Sequence, residues 1–197
     1  LNKDFGISYL SFVSIASVQF FSMNAGILFL GMLGDNIGSA GMRVAQSAGL
    51  LVAFPVAAVE ILTQPRLARL VGVSSKKEFK ETYKASARVS LVVSLSIGIP
   101  MYLFAEALLK ITYGAEYVPI ASDAIQIIVI ARVVQALMGT SGVLLTMTSN
   151  ERSALIAQIY ALIITMIALL YVGPLMGSRG AAIAVALGVF SKVIIEA

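Results

Sequence analysis

The chain contains no cysteine, no histidine and no tryptophan, and charged residues make up only 12% of its 197 residues. The absence of cysteine excludes disulfides and thiolate chemistry. The absence of histidine removes the commonest general base and the commonest zinc ligand. An aromatic belt at a membrane surface would have to use Tyr and Phe. A soluble domain usually has about 25% charged residues, so the deficit of charge indicates a lipid-facing surface.

Two long stretches of the sequence have no charge at all. Residues 5–34 and residues 153–178 contain no Asp, Glu, Lys or Arg. A helix needs roughly 20 residues to cross a hydrocarbon layer of about 30 Å, and both stretches are longer than that. A soluble core does not require uncharged runs of this length. The sequence therefore predicts an integral membrane protein, with the lipid bilayer as its first partner.

The apolar pattern predicts six membrane-spanning helices, because helices satisfy their own backbone hydrogen bonds in lipid. No linker long enough to divide two domains interrupts them, so we expect one all-α bundle over residues 1–197. The sequence starts at Leu1 and not at a methionine, and it ends at Ala197 within an apolar run. We therefore interpret the bundle as part of a larger protein. The spans are, approximately, Gly6–Leu33, Val44–Gln64, Val89–Phe104, Ile120–Met147, Ala154–Leu175 and a last one from Gly180.

The connections between the spans alternate in charge. The connection between spans three and four is acidic in balance, whereas the basic loop 66–88 has the excess of Lys and Arg that marks a cytoplasmic loop. We therefore place residue 1 and loop 66–88 in the cytoplasm and predict a multi-pass protein of the plasma membrane. The basic residues of the loop are Arg66, Arg69, Lys76, Lys77, Lys80, Lys84 and Arg88, opposed by Glu78 and Glu81.

The same assignment places the remaining charges. Glu106, Glu116, Asp123, Lys110, Arg43 and Arg179 are expected outside, and Lys3, Arg152 and Lys192 inside. The later part of the basic loop, residues 75–88, is either an amphipathic helix on anionic headgroups or a solvated loop that only sets topology. The second interpretation is favoured. The net charge of +4 does not predict a nucleic-acid partner, because the cations cluster beside apolar spans.

The residue inventory does not predict an enzyme. No Ser/His or Cys/His arrangement exists without His and Cys, and the sequence has no phosphate-binding GxxxxGK[ST] motif. The acidic residues lie mostly in loops, and no close acidic pair falls within a span. Accordingly no metal site and no cofactor is expected, although coupling to H⁺ or Na⁺ stays open.

Charges inside spans mark functional sites in membrane proteins, and Arg132 is the first candidate. It lies near the middle of the fourth span, where a guanidinium suits a phosphate or diphosphate. The alternative is a structural partner inside the bundle, or a side chain that reaches the membrane surface. Gln135 lies on the same helix face three residues later. Gln19 and Asn24 of the first span are further polar candidates, although such residues more often only bond neighbouring helices.

Glu60 is the second charged candidate, and it lies in the second span five residues after Pro55. A carboxylate near a proline kink can bind a proton or Na⁺, as a coupling site requires. The alternative is an interfacial Glu paired with Arg66 or Arg69, and this alternative is favoured.

The order of these elements resembles the carboxy-terminal half of lipid-linked oligosaccharide (polysaccharide) flippases, which belong to the MATE-like exporter superfamily. Three segments carry the resemblance. The chain departs from the family pattern in the first, where Ser39, Ala40 and Gly41 follow Gly38 and the usual Tyr is missing. The segments are LGDNIGSAGMRVAQSAGLLVAFPVAAVEILTQPRLARL, ITYGAEYVPIASDAIQIIVIARVVQALMGTSGVLLTMTSNER and LLYVGPLMGSRGAAIAVALG.

The resemblance implies one lobe of a two-lobe transporter whose amino-terminal half is a further bundle of about six helices. The implied activity is alternating access. A polyprenyl-diphosphate-linked glycan is carried from the inner to the outer leaflet for cell-surface polysaccharide synthesis. On this interpretation Arg132 holds the diphosphate, with Gln135, Asn24 and Gln19 as polar partners. The alternatives are a MATE-like exporter of cationic drugs driven by H⁺ or Na⁺, which would use Glu60, and a non-transporting, scramblase-like or assembly subunit.

Overall fold

The computed structural model describes residues 3–72, 76–137 and 151–196, and no strand occurs within them. Five of the helices are long and apolar enough to cross a membrane. The predicted all-α membrane bundle is therefore confirmed. The helices are α1 (Lys3–Met32), α2 (Asn36–Gly72), α3 (Lys76–Leu103), α4 (Ala105–Thr112), α5 (Val118–Leu137) and α6 (Glu151–Glu196), with a 3-10 turn at Ala115–Tyr117 before α5.

The last helix, α6, supplies both the fifth and the sixth predicted span. Its 46 residues are interrupted at Gly177, whose φ of 53° and ψ of −129° lie outside the helical region. A positive φ of this kind is accessible to glycine at little cost. Gly188 beyond the break lies against Ala161 and Thr165 before it. The chain thus folds back at Gly177, and its two arms, residues 151–176 and 178–196, pack antiparallel.

The centre of the bundle is α5, which packs against α2, α3, α4 and α6. Small and branched apolar side chains make this possible, because they let helix backbones approach closely in a membrane. Large apolar side chains such as Phe54, Leu62 and Leu170 point outward, as a lipid-facing surface requires. The buried residues of α5 are Ala121, Ala124, Ile125, Ile128, Val129, Ala131 and Ala136.

Several polar contacts join the helices at one end of the bundle. Asp35 caps α2 by accepting a hydrogen bond at Oδ1 from the backbone N–H of Gly38 (2.8 Å). The Ser178 hydroxyl donates to the carbonyl oxygen of Ile120, and Arg179 Nη1 lies 3.3 Å from Asp123 Oδ2. The turn before α2, the start of α5 and the break in α6 therefore meet, which is the grouping predicted for the outer side. Which side of the membrane this end faces stays a prediction.

For the later part of the basic segment 66–88 a helix was one alternative and a solvated loop the favoured one. In the structure residues 66–72 and 76–88 are helical, so the favoured loop is wrong there. Arg66 and Arg69 belong to the last turns of α2, which continues through Pro55 and Pro65. Lys77 and Arg88 belong to the start of α3, and residues 73–75 lie outside the described residues. The prediction placed the helix ends at the charges, but charged side chains are compatible with a helix that continues out of the bilayer. The predicted fourth span likewise reaches Leu137 in α5, and residues 138–147 are not described.

Candidate functional site

A cleft lined by both polar and apolar groups lies between α1, α5 and the two arms of α6, with a cavity volume of about 50 Å³. Three of the four predicted substrate-binding residues line it: Arg132, Gln135 and Gln19. The rest of its described lining consists of one amide, two hydroxyls, a second cation and apolar groups. The other lining residues are Ser22, Met23, Gln158, Ala161, Thr165, Val185, Gly188, Val189 and Lys192.

Arg132 is held by its neighbours on two sides. Its Nη1 donates a hydrogen bond to Oε1 of Gln135 at 2.9 Å, which is the contact expected from their spacing on one helix face. Gly49 of α2 lies against its stem, because a Cβ atom at Gly49 would be 3.6 Å from Arg132 Cγ and Nε. Among the described residues no carboxylate lies within salt-bridge distance of Arg132. Its charge is therefore oriented by an amide and is not neutralised by an acid.

Lys192 on the second arm of α6 is the other cation of the cleft. Arg132 lies fourteen residues into α5, and Lys192 lies fourteen residues beyond Ser178 on the returning arm. Since α5 and this arm start at the same end of the bundle, both side chains lie at about 21 Å of helix length from it. Two positive charges are therefore presented at one depth.

Glu60 of α2 lies near one of these two cations, Lys192. The carboxylate of Glu60 is partly buried and interacts electrostatically with the ammonium group of Lys192. The predicted alternative, an ion pair with Arg66 or Arg69, does not form within the described part of the chain. Glu60 thus lies beside the cleft, although it is not one of the lining residues.

Gln158 brings an amide from the first arm of α6 toward α1. Its Nε2 donates a long hydrogen bond of 3.4 Å to the Ser22 hydroxyl. Its Oε1 is buried and has no hydrogen-bond partner among the described residues. A buried amide oxygen without a donor costs roughly 1–3 kcal/mol. The unpaired acceptor is therefore a place where a ligand hydroxyl or a water molecule would be stabilised.

Asn24 does not belong to the cleft. Its Nδ2 donates a hydrogen bond to the carbonyl oxygen of Phe20 within α1, at 2.9 Å. Such a contact to the preceding turn satisfies a polar side chain inside a helix. The prediction that Asn24 joins Arg132 in one site is not supported by this geometry, because its amide is turned back onto its own helix.

A comparison with protein families identifies the class of the chain. The model of the family described as MatE matches residues 11–172. The chain belongs to the MatE family. MatE proteins are membrane transporters, so the prediction of a transporter is confirmed at that level. No curated protein and no solved structure matches the chain.

The family match covers α1 to α5 and most of the first arm of α6, so it includes Arg132, Gln135 and Gln158. Lys192 lies beyond it. Ser22, Gln158, Thr165 and Lys192 were missed as site residues by sequence reasoning. Two of them could have been found from the sequence. Gln158 is an isolated amide in an uncharged stretch, and Lys192 is an isolated charge in an apolar run. No group of acidic residues among residues 3–72, 76–137 and 151–196 is arranged to hold a metal ion.

Proposed function

We propose that this MatE-family chain is one lobe of a flippase that moves a polyprenyl-diphosphate-linked oligosaccharide from the inner to the outer leaflet. The observation that carries the proposal is the pair of cations, Arg132 and Lys192, at one depth of the same cleft. A guanidinium and an ammonium that line one cleft suit the charge and the oxygen geometry of a diphosphate. Transport would supply glycan for the cell surface and would proceed by alternating access with an amino-terminal lobe.

The remaining polar groups fit the sugar end of such a substrate. Gln19, Gln135 and Gln158 provide amides, and Ser22 and Thr165 provide hydroxyls. These groups both donate and accept hydrogen bonds, as sugar hydroxyls do. The unpaired Oε1 of Gln158 adds an acceptor that a sugar hydroxyl would satisfy.

A second candidate function is the export of cationic drugs in exchange for H⁺ or Na⁺. The observation in its favour is Glu60, a partly buried carboxylate beside the cleft. Two observations oppose it. Glu60 is already compensated in part by Lys192, and Arg132, which has no carboxylate partner among the described residues, repels a cationic substrate. The described lining residues include no Asp or Glu.

The two functions are separated by deleting the gene and measuring surface polysaccharide together with the pool of lipid-linked glycans. We expect surface polymer to be lost and intermediates to collect on the inner leaflet. Complementation with Arg132→Gln should fail at normal protein abundance, whereas Arg43→Gln, an exposed arginine of α2 outside the cleft, should restore polymer. Unchanged polymer with new sensitivity to cationic drugs would favour the exporter and direct attention to Glu60.

A further inference from the structure

The first four turns of α3 present four basic side chains on one exposed face. Lys84 and Arg88 follow Lys77 by seven and eleven residues, so the three are aligned on the helix, and Lys80 lies beside them. All four side chains are exposed, and none forms a salt bridge with another described residue. We refer to Lys77, Lys80, Lys84 and Arg88 as the basic stripe.

The face of the basic stripe continues along α3 as an apolar, lipid-exposed face. Val92, Ile99 and Leu103 follow Arg88 by four, eleven and fifteen residues, which keeps them on the same side of the helix. Their side chains are 63%, 51% and 67% exposed. The change from charged to apolar takes place within the single turn between Arg88 and Val92. Such a change along one face of a helix marks the boundary between headgroups and hydrocarbon.

Packing fixes this orientation of α3. Ser86, Ser90 and Ser94 lie on the opposite face and are buried. The Ser86 hydroxyl shares a hydrogen bond of 3.2 Å with the Thr63 hydroxyl of α2. If α3 were rotated so that the basic stripe faced the bundle, these three serines would be exposed to lipid. The stripe is therefore held outward by the same contacts that join α3 to the bundle.

The length of α3 places the basic stripe outside the hydrocarbon layer. Its 28 residues extend over about 42 Å, which exceeds a hydrocarbon layer of about 30 Å by roughly eight residues. The excess lies at the basic end, because no charged residue occurs between Arg88 and Glu106, beyond the other end of α3. Residues 76–84 consequently project into the headgroup region, and Arg88 lies at its inner edge. Arg66 and Arg69 at the end of neighbouring α2 add positive charge there.

We propose that the basic stripe is a binding surface for the headgroups of anionic phospholipids. Lys and Arg near a membrane surface attract anionic lipid. The aliphatic part of each side chain covers apolar surface, and the charged group at its end reaches the lipid phosphate. Arg88 contacts the phosphate nearest the hydrocarbon, because it stands one turn from lipid-exposed Val92. Lys77, Lys80 and Lys84 hold the outer headgroup layer. Glu78 and Glu81, which are also exposed on this segment, weaken the attraction.

The test uses the absence of tryptophan from this chain. The full-length transporter, with any tryptophan outside this chain replaced by phenylalanine, receives a Val92→Trp probe beside the basic stripe. A second protein receives Leu103→Trp, on the same face at the other end of α3. Each is reconstituted in vesicles that mix brominated phosphatidylglycerol with phosphatidylcholine, or brominated phosphatidylcholine with phosphatidylglycerol. Fluorescence quenching then gives the preference for phosphatidylglycerol at each position.

At the Val92→Trp probe we expect phosphatidylglycerol to be preferred by about threefold or more. The double substitution Lys84→Gln/Arg88→Gln should bring the preference close to one, and Glu78→Gln/Glu81→Gln should increase it. The preference at Leu103→Trp should respond to neither change. Removal of two cations elsewhere, Arg43→Gln/Lys110→Gln, is the matched control and should leave the Val92→Trp signal unaltered. Equal preferences at the two probes, or no response to Lys84→Gln/Arg88→Gln, would overturn the proposal.

Discussion

Gly188 lies directly against Thr165, so the two arms of α6 meet beside the cleft without a side chain between them. A Cβ atom at Gly188 would be 3.0 Å from the carbonyl oxygen of Ala161 and 3.3 Å from Cβ of Thr165. Because the first of these neighbours is backbone, it cannot move aside as a flexible side chain would. The close approach therefore determines the spacing of the arms that carry Gln158, Thr165 and Lys192 into the cleft.

We predict that Gly188→Ala lowers stability by about 1–3 kcal/mol, the usual cost of overpacking a close contact. The matched control is Gly31→Ala in α1, where the nearest atom to an added Cβ is Ser39 Oγ at 3.9 Å. That change should raise stability by about 0.5–1 kcal/mol, because alanine is the better helix former. Both are measured by size-exclusion chromatography after heating in detergent. Equal shifts for the two variants would contradict the packing argument.

The second prediction concerns the two cations of the cleft. If they hold a diphosphate, Arg132→Gln and Lys192→Gln should each slow flipping by about tenfold or more, since a charged hydrogen bond contributes about 1.5–3 kcal/mol. Arg132→Lys should retain part of the flipping rate, because the positive charge remains while the bidentate hydrogen bonding of the guanidinium is lost. Flipping is measured with a fluorescent lipid diphosphate in proteoliposomes. Lys110→Gln on α4 is the control, and full activity of Arg132→Gln would rule out this role.

The third prediction concerns Glu60 and Lys192, which interact electrostatically across α2 and α6. Lys192→Gln leaves the carboxylate of Glu60 partly buried and less well compensated, so this variant should be destabilised. Glu60→Gln also removes a charge that is costly to bury, so it should be destabilised less. The double variant should lose less than the sum of the two, with a coupling of about 0.5–3 kcal/mol. Thermal denaturation of the four proteins provides this cycle.

The exposed pair Asp123–Arg179 serves as the reference cycle. Its atoms are 3.3 Å apart, and both side chains are more than half exposed. The coupling between Asp123→Asn and Arg179→Gln should therefore be below about 1 kcal/mol and should decrease with added salt. A Glu60–Lys192 coupling no larger than this reference would mean that the interaction does not hold α2 to α6.

The sequence was sufficient to predict most of the spans, the grouping of charges at one end, and the placement of Arg132 and Gln135 on one helix face. These properties depend on composition and on spacing within one helix. The approach of Lys192 and Gln158 to Arg132 was not predictable, because the helices are apolar on nearly all sides and their pattern does not show which faces meet. A helix over residues 75–88 was one of two alternatives, and the other, a solvated loop, was wrongly favoured. Charge shows where the bilayer ends, but a helix can extend beyond that boundary.

The last prediction separates ligand binding from packing at Gln158. Its buried Oε1 has no partner among the described residues, and its Nε2 makes only the long contact to Ser22. Replacement of an unsatisfied amide by an apolar group of similar size is close to neutral or stabilising. We therefore expect Gln158→Leu to leave thermal stability unchanged or to raise it, while flipping becomes several-fold slower because an acceptor for the substrate is lost.

Gln126→Leu is the matched control for this change. Gln126 lies on α5 outside the cleft lining, and its Nε2 donates to the carbonyl oxygen of Tyr102 at 3.3 Å. It should affect flipping little, because its amide only joins α5 to α3. If Gln158→Leu instead unfolded the protein at lower temperature while flipping at the normal rate, Gln158 would be a structural amide. The cleft would then act through its two cations alone.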